Sequence, residues 1–163
     1  MSTTAGSTPM CAPRVLGPDE GLRLQSGPGR DLVFKVTGDD TGGAFDYFVV
    51  DVAPRSGPPL HVHHRQEEAI HALRGRYKIR IGDQEHVCEE GGFAYLPSRL
   101  PHAFFNLTDE PGQVIIVYTP GGGHRFYEEF GPLVRSATAD RAAIAAVFEK
   151  YHMTLLGPPL SPD

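Results

Sequence analysis

The strongest constraint on the fold is a succession of short β-branched and aromatic runs between Asp31 and Thr119, nearly all closed by a turn signal. The runs are Asp31–Val36, Phe45–Val52, Leu60–His63, Glu68–Leu73, Tyr77–Ile81, Gln84–Cys88, Phe93–Leu96, His102–Asn106 and Gln113–Thr119. Between them fall Gly38-Asp39-Asp40-Thr41-Gly42-Gly43, Gly75, Gly82-Asp83, Gly91-Gly92 and Asp109-Glu110-Pro111-Gly112. Glycine supplies positive φ and proline fixes φ, so such residues end a strand and turn the chain. The 19 Gly and 15 Pro are spread along the chain, as many short strands joined by tight turns require. This pattern predicts an all-β sandwich or barrel.

The texture changes at both ends. Residues 1–29 are rich in Gly, Pro, Ser and Thr, with a short apolar patch at Val15-Leu16. They read as a loose arm with one strand that packs on a neighbour. Residues 30–120 hold the barrel. After Pro120-Gly121-Gly122-Gly123 the period lengthens, and Arg125–Phe130 and Ala139–Tyr151 read as helices. The second places Ala143, Ile144, Val147, Phe148 and Tyr151 on one face, with Thr138 or Asp140 as its N-cap. Leu156-Gly157-Pro158-Pro159 reads as an irregular stop. Residues 121–163 are thus expected to form a helical appendix packed on the barrel.

Composition narrows the function. Net charge is −5, lysine occurs only at Lys35, Lys78 and Lys150, and no basic run appears, which argues against a nucleic-acid partner. No apolar stretch is long enough to span a membrane, and Met1–Ser7 lacks the apolar core of a signal peptide. Cys11 and Cys88 are far apart and form no C-x-x-C pair, so no disulfide framework is expected and the cytoplasm is the natural compartment.

The chemistry concentrates in Leu60-His61-Val62-His63-His64-Arg65-Gln66-Glu67-Glu68. Side chains alternate across a strand, so His61 and His63 share a face while Val62 and His64 point away. Two imidazoles on one face can bind one metal ion, and a carboxylate from the next strand supplies an anionic ligand. About forty residues on, His102 opens a strand after a proline-containing turn, where a barrel can offer it as a fourth ligand.

These residues resemble the cupin superfamily, whose motifs read G-x(5)-H-x-H-x(3,4)-E-x(6)-G and G-x(5)-P-x-G-x(2)-H-x(3)-N. His61, His63, Glu68 and Gly75 match the first, and Gly91, Pro97, His102 and Asn106 the second. Glu67 fits the shorter gap but misses the glycine, which selects Glu68. Gly57 stands closer to His61 than the pattern has it, and Arg99 replaces the usual turn glycine. The two motifs with their spacer cover about a third of the chain. The stretch from Thr119 to Gly131, with its helix and Leu156–Leu160, resembles the end of small bacterial quercetin dioxygenase-like cupins. The resemblance implies a jelly-roll (double-stranded β-helix) barrel and a homodimer. It also implies one divalent transition metal ion (Fe, Mn, Ni, Co, Cu or Zn) held by His61, His63, Glu68 and His102.

The expected activity is that of a metal-dependent dioxygenase acting on a small enolisable or phenolic compound with O2, Glu68 doubling as base. Two alternatives are a metal-dependent isomerase or epimerase and a non-catalytic small-molecule binder. For the isomerase, no additional acid or base can be named from the sequence. Phe34, Phe48, Tyr77, Tyr95, Phe104 and Phe105 are the candidates for an aromatic pocket lining, of which alternation turns about half inward. His64 and His71 should face away from the site, and His86, His124 and His152 have no spacing to recommend them. Gly121-Gly122-Gly123 reads as a flexible strand-to-helix joint rather than a phosphate loop, since no G-K-[ST] follows. Cys88, beside Glu89 and Glu90, reads as a buried structural thiol.

Overall fold

The computed structural model describes residues 12–136 and 140–163, and Cys11 and Thr138 lie outside them. Among the described residues, eleven strands form two antiparallel sheets. They are β1 (Leu22–Gln25), β2 (Asp31–Val36), β3 (Asp46–Val52), β4 (Pro59–His63), β5 (Glu67–Arg74), β6 (Tyr77–Ile81), β7 (Gln84–Cys88), β8 (Phe93–Leu96), β9 (His102–Asn106), β10 (Gly112–Thr119) and β11 (Met153–Pro159). The larger sheet runs β1-β2-β3-β10-β5-β8 and the smaller β11-β4-β9-β6-β7. Two helices, α1 (His124–Arg135) and α2 (Arg141–Lys150), lie between β10 and β11.

Period-2 alternation explains why these sheets close on each other. In β10 Val114, Ile116 and Tyr118 are buried while Gln113, Ile115 and Val117 are only partly so, and β3 buries Asp46, Phe48, Val50 and Val52 in the same rhythm. One face of each strand therefore meets the opposite sheet. The core so formed contains Leu32, Phe34, Phe48, Ile70, Tyr77, Ile79, Leu96 and Phe104. Phe34 stacks on Phe48 with ring centroids 4.3 Å apart, and Tyr77 closes the far end against Phe104. This is a jelly-roll barrel with a C-terminal helical part: the strand pattern predicts the all-β barrel, and the resemblance implies the jelly roll.

Three local readings need correction. The tail is not an irregular stop: Met153–Pro159 is a strand paired with β4, Met153 opposite His63 and Leu155 opposite His61. It escapes detection because Pro158 and Pro159 are tolerated where an edge strand needs few ladder donors. The first helix runs on from Phe130 through Pro132 to Arg135. The glycine joint is not free either. The buried carboxylate of Asp46 accepts hydrogen bonds from the backbone N–H groups of Gly38 (2.6 Å), Gly122 (2.8 Å) and Gly123 (2.7 Å). It thereby satisfies donors that the start of α1 leaves open and places a negative charge at the positive end of the helix. His124, buried beneath the same joint, lies with Nδ1 3.3 Å from Asp46. Asp140 caps α2, its side chain accepting from Ala142 N–H at 3.0 Å.

The helices and β11 build a second apolar cluster of Phe126, Phe130, Phe148 and Met153 over one end of the barrel. Phe126 stacks on Phe130, and Phe148 meets both edge-on. The same end carries the histidines of β4, so the helical part roofs the candidate site.

Candidate metal centre

His61, His63, Glu68 and His102 converge: one donor atom from each lies within 4.8 Å of the other three. The three histidines come from β4 and β9 in the smaller sheet, where His61 stands opposite His102, and Glu68 comes from β5 in the larger. His63, Glu68 and His102 are nearly sealed from solvent. The turn before His102 explains the tolerated departure at Arg99. Arg99 takes up a left-handed φ of 69°, the conformation usually left to glycine, and its N–H donates to the carbonyl of His63 at 2.7 Å. Gly57 is required for another reason, since a Cβ there would fall 1.9 Å from the carbonyl oxygen of Phe104.

Hydrogen bonds behind the rings set which nitrogen faces inward. Nδ1 of His61 is 2.8 Å from the carbonyl of Pro59, and Nδ1 of His102 is 3.0 Å from that of Leu100. A carbonyl only accepts, so both Nδ1 atoms carry the proton and a neutral ring directs its Nε2 lone pair into the cluster. Nδ1 of His63 lies 3.3 Å from Oε1 of Gln66, whose amide is oriented by donating to the Pro120 carbonyl at 2.9 Å.

The inward atoms are then close with no hydrogen to share. Nε2 of His61 and Nε2 of His63 are 3.1 Å apart, Nε2 of His102 is 3.1 Å from Oε2 of Glu68, and Nε2 of His63 is 3.7 Å from the same oxygen. Lone pairs at such separations repel unless a cation stands between them. Ligand atoms bound at ~2.1 Å and at right angles are ~3 Å apart, so the donor set fits a transition-metal ion. Burial, reinforced by the neighbouring His102 and His63, holds the His61 pKa well below the usual value, and burial brings that of His63 down to about 4. For His102 burial opposes charge, but the Glu68 carboxylate outweighs it and raises the pKa: without a cation, a second proton on Nε2 is what would relieve that contact.

Two adjoining cavities of about 40 Å³ each open beside the cluster and share Ser26, Arg30, Pro58, His61, Tyr118 and Tyr127 in their walls. One extends under the roof to Phe126, Phe130 and Phe148, and the other reaches Glu68, His102 and Phe104. Of the six aromatic residues expected to line the site, only Phe104 does. Phe34, Phe48 and Tyr77 fill the core, Phe105 is buried outside both cavities, and Tyr95 stands half-exposed on the outer face. The aromatic wall comes instead from Tyr118 and from α1 and α2. Alternation with Val114 and Ile116 was a usable signal for Tyr118. Tyr127, Gln66 and Arg30 carried none.

Tyr118 is the β10 partner of Glu68, and its hydroxyl is 2.8 Å from that of Tyr127. Burial, with the Glu68 charge nearby, raises both phenol pKa values, so both keep their protons at neutral pH. The other histidines lie apart. His71, His86 and His152 are exposed, and His64, also exposed, has Nε2 2.8 Å from the hydroxyl of Thr154. Cys88 is buried, and burial followed by the Glu89 charge raises its thiol pKa, in keeping with a structural role.

Fold and cluster define the class: a jelly-roll barrel with a three-histidine, one-glutamate centre at one end. Residues 48–118 match the family model of the cupin domain. The chain carries a cupin domain and has the cupin fold. Among solved structures it is similar to a sugar phosphate isomerase from a cupin superfamily of Silicibacter pomeroyi. There identity is 24%, covering 65% of this chain and 75% of that one, with a TM-score of 0.57. KdgF from Halomonas sp. is similar at 12% identity over 70% of this chain and 99% of that one, TM-score 0.62. So is an RmlC-like cupin from Shewanella frigidimarina at 11% identity over 71% and 98%, TM-score 0.59. Likeness at these identities speaks for the fold alone. No curated relative matches the chain, and the finer resemblance to quercetin dioxygenase-like cupins gains no support from these comparisons. Among the described residues, no helix is long and apolar enough to cross a membrane.

Proposed function

We propose that this protein binds one divalent transition-metal ion through His61, His63, Glu68 and His102, and is a metal-dependent enzyme acting on a small enolisable or phenolic compound. The observation that carries the reading is the set of inward lone pairs, oriented from behind by carbonyls and crowded to 3.1 Å. A bound divalent ion would supply Lewis acidity, lowering the pKa of an enol, phenol or hydroxyl group placed beside it. Glu68 is the base nearest to that group, and the roof of Phe126, Phe130 and Phe148 excludes water from it.

Deprotonation of the substrate is a first step common to two reactions. In the dioxygenase reading the electron-rich substrate goes on to react with O2, and the apolar aromatic wall suits a planar phenolic compound. The isomerase reading is favoured by one observation: Tyr118 and Tyr127 place two protonated hydroxyls beside Glu68. Tyr118 would return a proton to the neighbouring carbon and be reprotonated by the one that Glu68, its partner across β5 and β10, had taken up, with Tyr127 hydrogen-bonding its oxygen meanwhile. A metal assay followed by oxygen uptake with a panel of flavonols, diketones and hydroxy-ketones tests both. One metal per chain with substrate-dependent uptake supports the dioxygenase. Metal with turnover under nitrogen supports the isomerase. A chain that takes up no metal when offered Fe, Mn, Ni, Co, Cu or Zn would refute the proposal as a whole.

A further inference from the structure

Arg30 is a cation turned inward without an anion. It ends the tight turn between β1 and β2, where Ser26 N–H donates to the Arg30 carbonyl at 3.1 Å and Arg30 N–H donates to the Gly27 carbonyl at 3.2 Å. The turn directs the side chain back under itself, with Nη2 donating to the Ser26 carbonyl at 3.0 Å. Gly27 must lack a side chain for this: its φ is +135°, and a Cβ would stand 2.9 Å from Nη2.

The other terminal nitrogen, Nη1, is sealed from solvent and has no hydrogen-bond partner, the one such side-chain atom among the described residues. Arg30 also takes part in none of their ion pairs; five arginines do (Arg14, Arg23, Arg55, Arg76 and Arg125), and what sets Arg30 apart from the others without one is the sealed, unpartnered Nη1. Burial accordingly lowers its pKa from the ordinary value, though a guanidinium stays charged at any physiological pH. The residue as a whole is only partly buried, but a sealed donor on a charged group left unpaired is costly, and native chains rarely keep one without a partner to complete it.

What would complete Arg30 is set by its surroundings. It lines both cavities together with His61, and Glu68 is the only carboxylate on either wall. If Glu68 is committed to a divalent ion, the pocket carries an excess of positive charge: two from the ion, one from Arg30, less one from Glu68. The remaining walls are apolar, aromatic or neutral.

We infer that Arg30 is the anion-recognition residue of this pocket, so that the substrate is a small compound carrying a carboxylate or phosphate group paired with Nη1. The inference rests on the reading of the cavity as a substrate site and adds the chemical class of the molecule that enters it. A guanidinium fork pairs with either oxyanion. The remainder of the molecule then lies between Tyr118, Tyr127 and the histidine cluster, where its enolisable group meets the metal and Glu68.

The test is calorimetric titration of inorganic phosphate and of acetate into metal-loaded and chelator-treated protein, for the wild type and Arg30→Met. Metal content and melting temperature are recorded in parallel. The wild type should bind one of the two anions in both forms, phosphate marking a phosphorylated substrate and acetate a carboxylic acid. R30M should bind it roughly ten- to a hundred-fold more weakly while keeping its metal content. In anion-free buffer R30M should melt no lower than the wild type, because an unpaired buried charge has been removed. An R30M that melts well below the wild type, or that loses metal, would show Arg30 to be structural and overturn the assignment. So would equal anion binding by both proteins, or none by the chelator-treated wild type. Arg30-dependent anion binding in a chain that never takes up metal would leave this inference standing and sink the metal reading instead.

Discussion

The Asp46 carboxylate ties the larger sheet to the first helix, and its removal has a calculable cost. Replacing it by alanine leaves the N–H groups of Gly38, Gly122 and Gly123 without their acceptor in a site with no solvent exposure at position 46. A buried donor left unpaired costs about 1–3 kcal/mol, and a carboxylate at a helix N-terminus contributes about 0.3–1 kcal/mol more. Water entering the vacated space would recover part of this, so a loss of about 3–5 kcal/mol is expected for D46A. For a domain of this size that corresponds to a fall in Tm of roughly 6–20 °C. D46N keeps one acceptor oxygen and the volume, and should lose about half as much. The assay is urea unfolding followed by far-ultraviolet circular dichroism, with chelator present so that bound metal adds nothing to the native state. The slope should be unchanged and the midpoint lower. A D46A midpoint within about 1 kcal/mol of the wild type would mean that the joint is held by packing alone and that the hydrogen-bond argument is wrong.

Three further outcomes follow from the site and its roof. His102→Ala should reduce metal content to well below one per chain with the far-ultraviolet spectrum intact, and full occupancy would show the ligand set to be misassigned. Phe148→Ala removes a buried ring that touches Phe126 and Phe130, and should cost about 3–5 kcal/mol in urea unfolding; a change under about 1 kcal/mol would mean that α2 contributes little to stability. A chain ending at His152 loses the strand beside His61 and His63. Its metal affinity should fall about ten-fold or more in a competition titration, as when outer-shell support is lost, and unchanged affinity would show that β4 is held by β9 alone.

Most of the barrel was legible because its signal is local. Asp31–Val36, Tyr77–Ile81, Gln84–Cys88, Phe93–Leu96 and His102–Asn106 stand in the structure with the bounds read from residue type and turn signals. The His61, His63, Glu68 and His102 set was legible because alternation and motif spacing survive translation into three dimensions. What failed was everything decided by tertiary packing. Leu156-Gly157-Pro158-Pro159 has poor strand propensity and is a strand because β4 offers it an open edge. Tyr95 has the same strand character as Phe104, yet one points out and the other in, and only the register of neighbouring strands decides which. Arg30 lies in a turn that looks like solvent-facing loop. Its role is visible only once the turn is seen to fold its side chain beneath the barrel mouth.

The placement of β4 bears on how the protein acquires its centre. β1 pairs with β2, β2 with β3, and β6 with β7, so these elements can form as soon as their own residues are available. β4 has no such neighbour: its partners are β9 and β11, and Met153 pairs with His63 across most of the chain's length. Closing loops of that span costs entropy before any contact is gained, which makes these pairings late and slow. Two of the three histidines therefore sit on a strand held only by long-range pairings, and a partly folded chain with only its local hairpins formed would still hold metal poorly. Metal uptake during refolding should then lag behind the first appearance of β-structure and report on the docking of β4 between β9 and β11.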